Sequence, residues 1–296
     1  MYIVTMLTAP NSFDLTVDVV RNFMRKWGGY NLNWLAPGEA AAFGIDDVPQ
    51  TQAFDWADLQ ACGVDLVVQP VKGQKKDVLL ADMDSTLIHQ ECIDELAEEA
   101  GLSDQIKTIT EMAMNGDLDF EEALTARVRC LKGQSTAIVD SVWRNRIKIS
   151  SGAGTLIQTM RKNGGYVVVV SGGFTVFTER LASELNVDEH HANQLLIDND
   201  LLTGEVAQPI LGRTAKLCVL QDVAGRLGVS TNQVMAVGDG ANDLDMLRKA
   251  GSGVAMHAKP IVASQCDHKI NFGDLTALLY LQGYKKSDFC IQEGTR

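Results

Sequence analysis

Three apolar runs constrain the fold of this 296-residue chain more than anything else in it. They are Val78-Leu79-Leu80, Tyr166-Val167-Val168-Val169-Val170 and Val234-Met235-Ala236-Val237. All three are nearly continuous, the pattern of strands covered on both faces. Helical stretches separate them, so residues 77–296 predict an α/β fold with a Rossmann-like parallel sheet. Each run stops at polar or glycine residues: Asp82, then Ser171-Gly172-Gly173, then Gly238-Asp239-Gly240. Ligands of open α/β sheets bind beyond the carboxyl ends of the strands. Three segments far apart in the chain therefore deliver Asp82, Ser171 and Asp239 to one edge.

The first of these edges reads Asp82-Met83-Asp84-Ser85-Thr86, and helical signals follow from Ile88 to Gly101. Two carboxylates at this spacing can divide labour. One attacks an electrophile, the other handles a proton, and both help to hold a hard cation. The hydroxyls of Ser85 and Thr86 could receive a phosphate oxygen at the helix entrance. The same residues also suit a plain turn, because Asp and Ser are favoured at strand ends and helix N-caps. On this stretch alone both readings stand.

Residues 1–72 form a separate pattern. Tyr2 to Leu7 alternates like a strand, and Phe13 to Trp27 has helix-spaced apolar residues that end at Gly28-Gly29. Strand candidates follow at Asn31 to Leu35, Ala40 to Ile45 and Asp65 to Gln69. This predicts a small α+β N-terminal domain, and the polar Pro70 to Lys76 reads as a linker. Between the first two apolar runs, Ile93–Gly101, Ile106–Met114, Phe120–Lys132 and Ser135–Arg146 read as amphipathic helices. Inserted at about 92–150, they predict a helical cap over the site. Thr155 to Asn163 reads as a helix packed on the sheet. Leu195 to Leu211 reads as a hairpin with Asp198-Asn199-Asp200 as its turn.

Composition excludes several functions. The net charge is −12, and a nucleic-acid binder needs a basic face. No apolar run approaches the roughly 18–20 residues of a membrane span, and no basic segment leads into an apolar core at the N-terminus. Six cysteines without C-x-x-C spacing argue against zinc or a disulfide scaffold, and are expected to be mostly buried apolar residues in a reducing cytoplasm. His190, His191 and His257 have no partner at ligand spacing and are expected at the surface or in packing.

Taken in order, D-x-D-S-T, S-G-G-F, Lys216 and G-D-G-A-N-D form a set that resembles the haloacid dehalogenase superfamily of phosphohydrolases. Residues 82–101, 111–128, 171–181 and 238–247 resemble its phosphoserine-phosphatase branch, and no position in these motifs departs from the pattern. The resemblance covers about residues 77–285. It implies hydrolysis of O-phospho-L-serine to L-serine through an aspartyl-phosphate, the last step of L-serine biosynthesis. Asp82 would be the nucleophile and Asp84 the general acid and base. Both can face the substrate only if the loop bends between them, which turns Met83 into the core. Mg²⁺ would be held by Asp82, Asp239 and the backbone carbonyl of Asp84, with Asp243 one helical turn further on as support. Lys216 would pair with Asp82 and the phosphate, and Ser171, Gly172 and Asn242 would donate to it. Glu91 would meet the substrate ammonium and Arg127 its carboxylate, while Met114 and Phe120 wall the pocket.

Other readings remain beside this one. The same fold could act on another small phosphate such as phosphothreonine, or pass phosphate to an alcohol. A ligand sensor would have lost its carboxylates, yet Asp82, Asp84 and Asp239 are present. The N-terminal segment resembles a shortened amino-acid-binding (ACT-like) module, for which serine binding, homodimer formation and simple packing all stay open.

Overall fold

A computed structural model describes residues 1–12 and 14–291. The chain opens with β1 (Tyr2–Leu7), α1 (Val17–Lys26), β2 (Tyr30–Ala36), β3 (Ala40–Ile45), α2 (Gln52–Ala61) and β4 (Asp65–Pro70). The strands form an antiparallel sheet in the order β2-β3-β1-β4. This is the complete β-α-β-β-α-β succession of ferredoxin-like folds, not a shortened one. Helix α2 is absent from the sequence expectation because its apolar residues do not gather on one face: Phe54 stays 77% exposed while Asp55 is buried. Helix α1 starts later than expected, since the Thr16 side chain caps it by accepting the Val19 N–H at 3.3 Å. Phe13, where that expectation began, lies outside the described residues.

The second part runs β5 (Val78–Ala81), a tight turn over residues 83–87, then α3 (Cys92–Glu99), α4 (Ser103–Asn115), α5 (Phe120–Cys130), α6 (Ala137–Asn145) and α7 (Ala153–Lys162). It continues through β6 (Tyr166–Phe174), α8 (Thr175–Leu185), β7 (Glu189–Asn193), β8 (Leu195–Asp198), β9 (Leu201–Val206) and α9 (Arg213–Leu227). It closes with β10 (Val234–Gly238), α10 (Leu244–Lys249), β11 (Ser252–Met256), α11 (Pro260–Ala263), β12 (His268–Ile270) and α12 (Ala277–Leu281). Six strands make one sheet in the order β12-β11-β10-β5-β6-β7, with every adjacent pair parallel. The three strands named from sequence are the adjacent central ones. Core residues cover both faces: Leu79, Val167, Val169 and Met235 on one, Leu80, Val168, Val170 and Ala236 on the other.

Helices α3 to α6 stand over the carboxyl edge. The β8–β9 hairpin joins them, since Gly133 N–H donates to the Leu202 carbonyl at 2.8 Å and Thr136 N–H to that of Asp200 at 2.9 Å. The turn at Asn199 and Asp200 has φ of 47° and 60°. No helix among the described residues is long and apolar enough to cross a membrane.

The two sheets share a core. Alternation along β1 and β3 sends Val4, Met6, Phe43 and Ile45 toward α1 and α2, while Leu7, Ala40 and Ala42 pack with Leu278, Leu279 and Leu281 of α12. The polar 70–76 stretch is pinned rather than loose: Gln74 reaches the Leu281 carbonyl at 2.9 Å and Lys76 that of Asn232 at 2.8 Å. Asp65 is fully buried, and its carboxylate accepts the N–H groups of Asn271, Phe272 and Gly273 at 2.9, 2.9 and 3.0 Å. Removing it would leave the buried Gly273 amide and the half-buried amides of Asn271 and Phe272 without their acceptor. Asp65→Ala is expected to cost about 3 kcal/mol, measured by urea unfolding. A loss under about 0.5 kcal/mol would show that the clamp contributes little.

Candidate active site

The floor of the site is the end of β5. Asp82 leaves the strand with extended dihedrals, Asp84 keeps φ −64° and ψ 135°, and Ser85 swings to φ 55°. That left-handed residue supplies the bend, so Met83 is wholly buried while Asp82 and Asp84 face one cleft. The Asp82 carboxylate accepts Met83 N–H at 2.7 Å and the Lys216 ammonium at 2.8 Å, both on Oδ1. Neither of these two contacts falls on Oδ2. Asp84 accepts the Cys92 N–H at 3.1 Å on Oδ1 and the Ser171 hydroxyl at 3.3 Å on Oδ2. Gly173 must lack a side chain here, because a Cβ would lie 2.5 Å from Asp84 Oδ2.

The second wall comes from β10. Asp239 receives the Thr86 hydroxyl at 3.3 Å. Asp243 sits under Gly238, whose Cβ would strike its carboxylate at 2.4 Å. Both Asp243 oxygens are engaged: Oδ1 with Lys216 at 2.6 Å, Oδ2 with Gly240 N–H at 3.0 Å. Lys216 projects from α9, is fully buried, and has its ammonium bracketed by Asp82 and Asp243. Ser85 and Thr86, expected to meet a phosphate, spend their hydroxyls on carboxylates instead: Ser85 donates to Glu91 at 2.8 Å.

Burial and like charge set the electrostatics. Desolvation and then Asp243 push the Asp82 carboxyl well up, against the pull of Lys216. Asp84 is pushed up to about 7 by burial and by Glu91. Asp239 is pushed up to about 6 by burial, Asp243 and Glu91. Burial would lower the Lys216 ammonium, but Asp82 and Asp243 outweigh it and raise it. Ligand atoms of Asp82, Asp239 and Asp243 lie within 4.8 Å of one another. These three carboxylates, two of them paired with Lys216, offer an all-oxygen donor set that suits a hard cation.

The cap supplies the roof. A reciprocal capping box, Asp119 with Glu122 at 2.9 Å each way, starts α5 and puts Phe120 over the cleft. Leu124 and Arg127 follow on the same helical face, and all three line the cleft, whose volume is about 300 Å³. Arg127 Nε donates to the Ala123 carbonyl at 3.3 Å. Burial lowers its guanidinium, while Asp94, Glu91 and Asp84 support the charge. Glu91, Gly172 and Asn242 also line the cleft, whereas Lys216 does not. The side chain of Met114 lies outside the described residues.

Two residues escaped the sequence reading. Asn193 ends β7 and holds the Ser171–Gly173 loop, donating to the carbonyls of Gly172 at 2.9 Å and Leu211 at 3.2 Å and accepting Leu211 N–H at 2.6 Å. An Asn at a strand end looks like ordinary turn chemistry. Lys259 lines the cleft beside Asp239 and carried no motif signal. The cysteines depart from expectation: Cys92 and Cys266 are buried, but Cys62 and Cys218 are exposed, and all six are unpaired. His190 meets Thr178 at 2.9 Å and His191 meets Glu189 at 2.6 Å, packing roles away from the cleft.

The sequence model of haloacid dehalogenase-like hydrolases matches residues 79–248. A phosphoserine phosphatase of Archaeoglobus fulgidus is 40% identical over 223 residues, covering 75% of this chain and 64% of that protein. One of Polaromonas is 46% identical over 205 residues, covering 68% and 87%. The chain thus spans less than two thirds of the Archaeoglobus protein. A solved haloacid dehalogenase family hydrolase of Salmonella enterica superposes with a TM-score of 0.86 at 30% identity, covering 95% of this chain and 98% of that one. A solved substrate-bound phosphoserine phosphatase complex superposes at 0.65 with 39% identity, covering 70% and 98%.

Lys216 is the one charge that offsets two buried carboxylates. Lys216→Met is expected to lower stability by about 3–5 kcal/mol in urea unfolding, and adding Asp243→Asn should recover part of that loss. A single-variant loss below about 1 kcal/mol would contradict the assignment.

Proposed function

The chain belongs to the haloacid dehalogenase-like hydrolases, and from that premise we propose that it is a Mg²⁺-dependent phosphoserine phosphatase acting in the cytoplasm at the last step of L-serine biosynthesis. One observation carries the substrate reading. The roof and rim present Arg127 and Glu91, opposite charges, above a floor with a free carboxylate oxygen on Asp82. A small zwitterion bearing a phosphoryl group matches that order: carboxylate to Arg127, ammonium to Glu91, phosphorus to Asp82. The relatives named above carry the same activity in their names, and six unpaired cysteines suit a reducing compartment.

A phosphate monoester resists attack because its charge repels a nucleophile and its alkoxide leaves poorly. In the proposed sequence Asp82 Oδ2 attacks phosphorus as the ester oxygen departs. Asp84, with its carboxyl raised to about 7, is protonated often enough to give that oxygen its proton. The phosphoryl group then sits on Asp82. Asp84, now ionised, takes a proton from the water that attacks phosphorus; the bond between phosphorus and Asp82 Oδ2 breaks, inorganic phosphate leaves, and the Asp82 carboxylate is restored. Lys216 holds Asp82 Oδ1, so the reacting lone pair stays on Oδ2. Gly172 N–H and the Asn242 amide would receive phosphoryl oxygens at the cleft wall, with Ser171 fixing Asp84 and the loop. Phe120 closes the roof against water. When bound by Asp82, Asp239 and the Asp84 carbonyl, Mg²⁺ supplies charge neutralisation at the phosphoryl oxygens. Asp243, with both oxygens engaged, supports rather than ligates. We take residues 1–72 as one domain and 77–296 as the phosphatase, with the cap at about 92–150.

Steady-state rates on a panel of phosphoesters should place phosphoserine first by kcat/KM. Phosphothreonine or another ester in first place would overturn the specificity. Asp82→Asn should lower kcat by at least about 10³-fold and abolish acid-trapped phosphoprotein from labelled substrate. Arg127→Met should raise KM for phosphoserine by about 10- to 100-fold with a smaller effect on kcat, and an unchanged KM would remove Arg127 from the substrate site.

A further inference from the structure

Two basic side chains line the cleft, Arg127 on the cap and Lys259 on the core. Lys216 lines no part of it. Its ammonium is buried and already held by Asp82 at 2.8 Å and Asp243 at 2.6 Å. The charges around the phosphoryl group therefore do not balance with Lys216 alone. Asp82, Asp239 and Asp243 with a phosphoryl group of about −2 total about −5, while a divalent ion and Lys216 return +3. Arg127 stands at the cap end among Asp94, Glu91 and Asp84. Its charge is engaged at that end, so another cation is needed at the Asp239 end.

Lys259 is at that end. Its backbone N–H points to the Asp239 carbonyl at 3.4 Å. Its own dihedrals are extended, φ −56° and ψ 145°, as expected before Pro260, which opens α11. Two residues earlier His257 takes φ 46°, donates its N–H to the Ile270 carbonyl at 2.8 Å, and places Nε2 at 2.9 Å from the Gly273 carbonyl. Gly273 is in turn held by buried Asp65 at 3.0 Å. The backbone that carries Lys259 is thus fixed against the rim of the cleft, while the side chain is exposed and free to reach inward. Among the charges acting on Asp239, Lys259 opposes Asp243 and Glu91.

We propose that Lys259 is a further phosphoryl-binding residue, whose ammonium meets the non-bridging oxygens from the Asp239 side of the cleft. It holds the phosphoryl group of the substrate and then the released phosphate, adding its charge to that of Lys216, which contacts Asp82 and Asp243. This rests on the reading above only in requiring a phosphoryl group in the cleft. Lys serves here as a point charge that needs no fixed geometry, so an exposed and flexible stem is no handicap.

The test is titration calorimetry of inorganic phosphate into the full-length, Mg²⁺-loaded protein, with L-serine as the second ligand. Lys259→Met should weaken phosphate by about tenfold, the size of one hydrogen bond to a charged group. L-serine affinity should stay within about twofold, and Lys259→Arg should keep phosphate within about threefold of the parent. KM for phosphoserine should rise by the same factor as the phosphate Kd, with kcat nearly unchanged. Unchanged phosphate affinity in Lys259→Met would make Lys259 a solvated surface charge and overturn the proposal. So would a loss confined to L-serine, which would assign Lys259 to the amino-acid end. If the parent binds phosphate but does not hydrolyse phosphoserine, the substrate reading fails and the Lys259 assignment is judged on phosphate alone.

Discussion

A lysine ammonium clamped between two buried carboxylates is the constraint on which the rest of the site depends. Asp82 arrives from β5 and Asp243 from the turn after β10, on adjacent parallel strands. Without Lys216, two carboxylates would face each other in a medium where neither is hydrated, and desolvation alone already pushes Asp82 upward. The triad has one function beyond neutrality. By pairing with Oδ1 of Asp82 and Oδ1 of Asp243 it fixes the orientation of both carboxylates and ties the end of β5 to the turn after β10. A buried ion pair is weak evidence for stability. Its worth here lies in fixing geometry, and the glycine at 238 shows how closely the backbone has been drawn around it.

The central sheet was legible from sequence because parallel strands buried on both faces leave nearly unbroken apolar runs. The same logic explains what was missed. Strands β11 and β12 have five and three residues, and β12 reads His-Lys-Ile, too short and mixed to carry a signal. Helix α2 fails the amphipathic test because Asp55 is drawn inside by Trp27 and Lys26 while Phe54 is left in solvent. Among site residues, Asp82, Asp84 and Asp239 announced themselves through position after strands. Lys216, Glu91 and Arg127 did not, since a single charged side chain carries no periodicity, and only resemblance to a family pointed to them. Lys259 had neither signal. Its place beside the cleft is visible only once β11 is seen to run parallel beside β10 and to set the loop after it next to Asp239.

The two ends of the cleft are built by different means. At the sheet end, groups are placed by backbone: Gly173 leaves room for Asp84, and Asn193 ties the Gly172 carbonyl to Leu211. At the cap end, groups are placed by a helix, with Phe120, Leu124 and Arg127 spaced along one face of α5. The sheet is rigid and suits chemistry that needs fixed geometry. The cap helices pack into the same core as the sheet, Leu96, Leu124 and Val142 clustering with Leu79, Val167 and Phe177, so the roof of the cleft is placed by side-chain packing where its floor is placed by strand ends.

The N-terminal sheet belongs to this argument through its attachment. Asp65 accepts one bond from Gln60 of α2 at 3.2 Å, but most of its bonds lie outside the first sheet. It holds the three amides of the 271–273 turn, and that turn holds His257. Two hydrogen-bonded steps therefore separate a buried carboxylate of the first sheet from the loop that carries Lys259. The apolar contacts of Leu7, Ala40 and Ala42 with α12 make the same junction a continuous core. Hydrophobic contact alone is non-directional and would tolerate small shifts between the sheets. Three charge-assisted bonds to consecutive amides are directional, so the junction has a defined register as well as a buried area. For that reason the first sheet acts as a fixed abutment for one rim of the cleft.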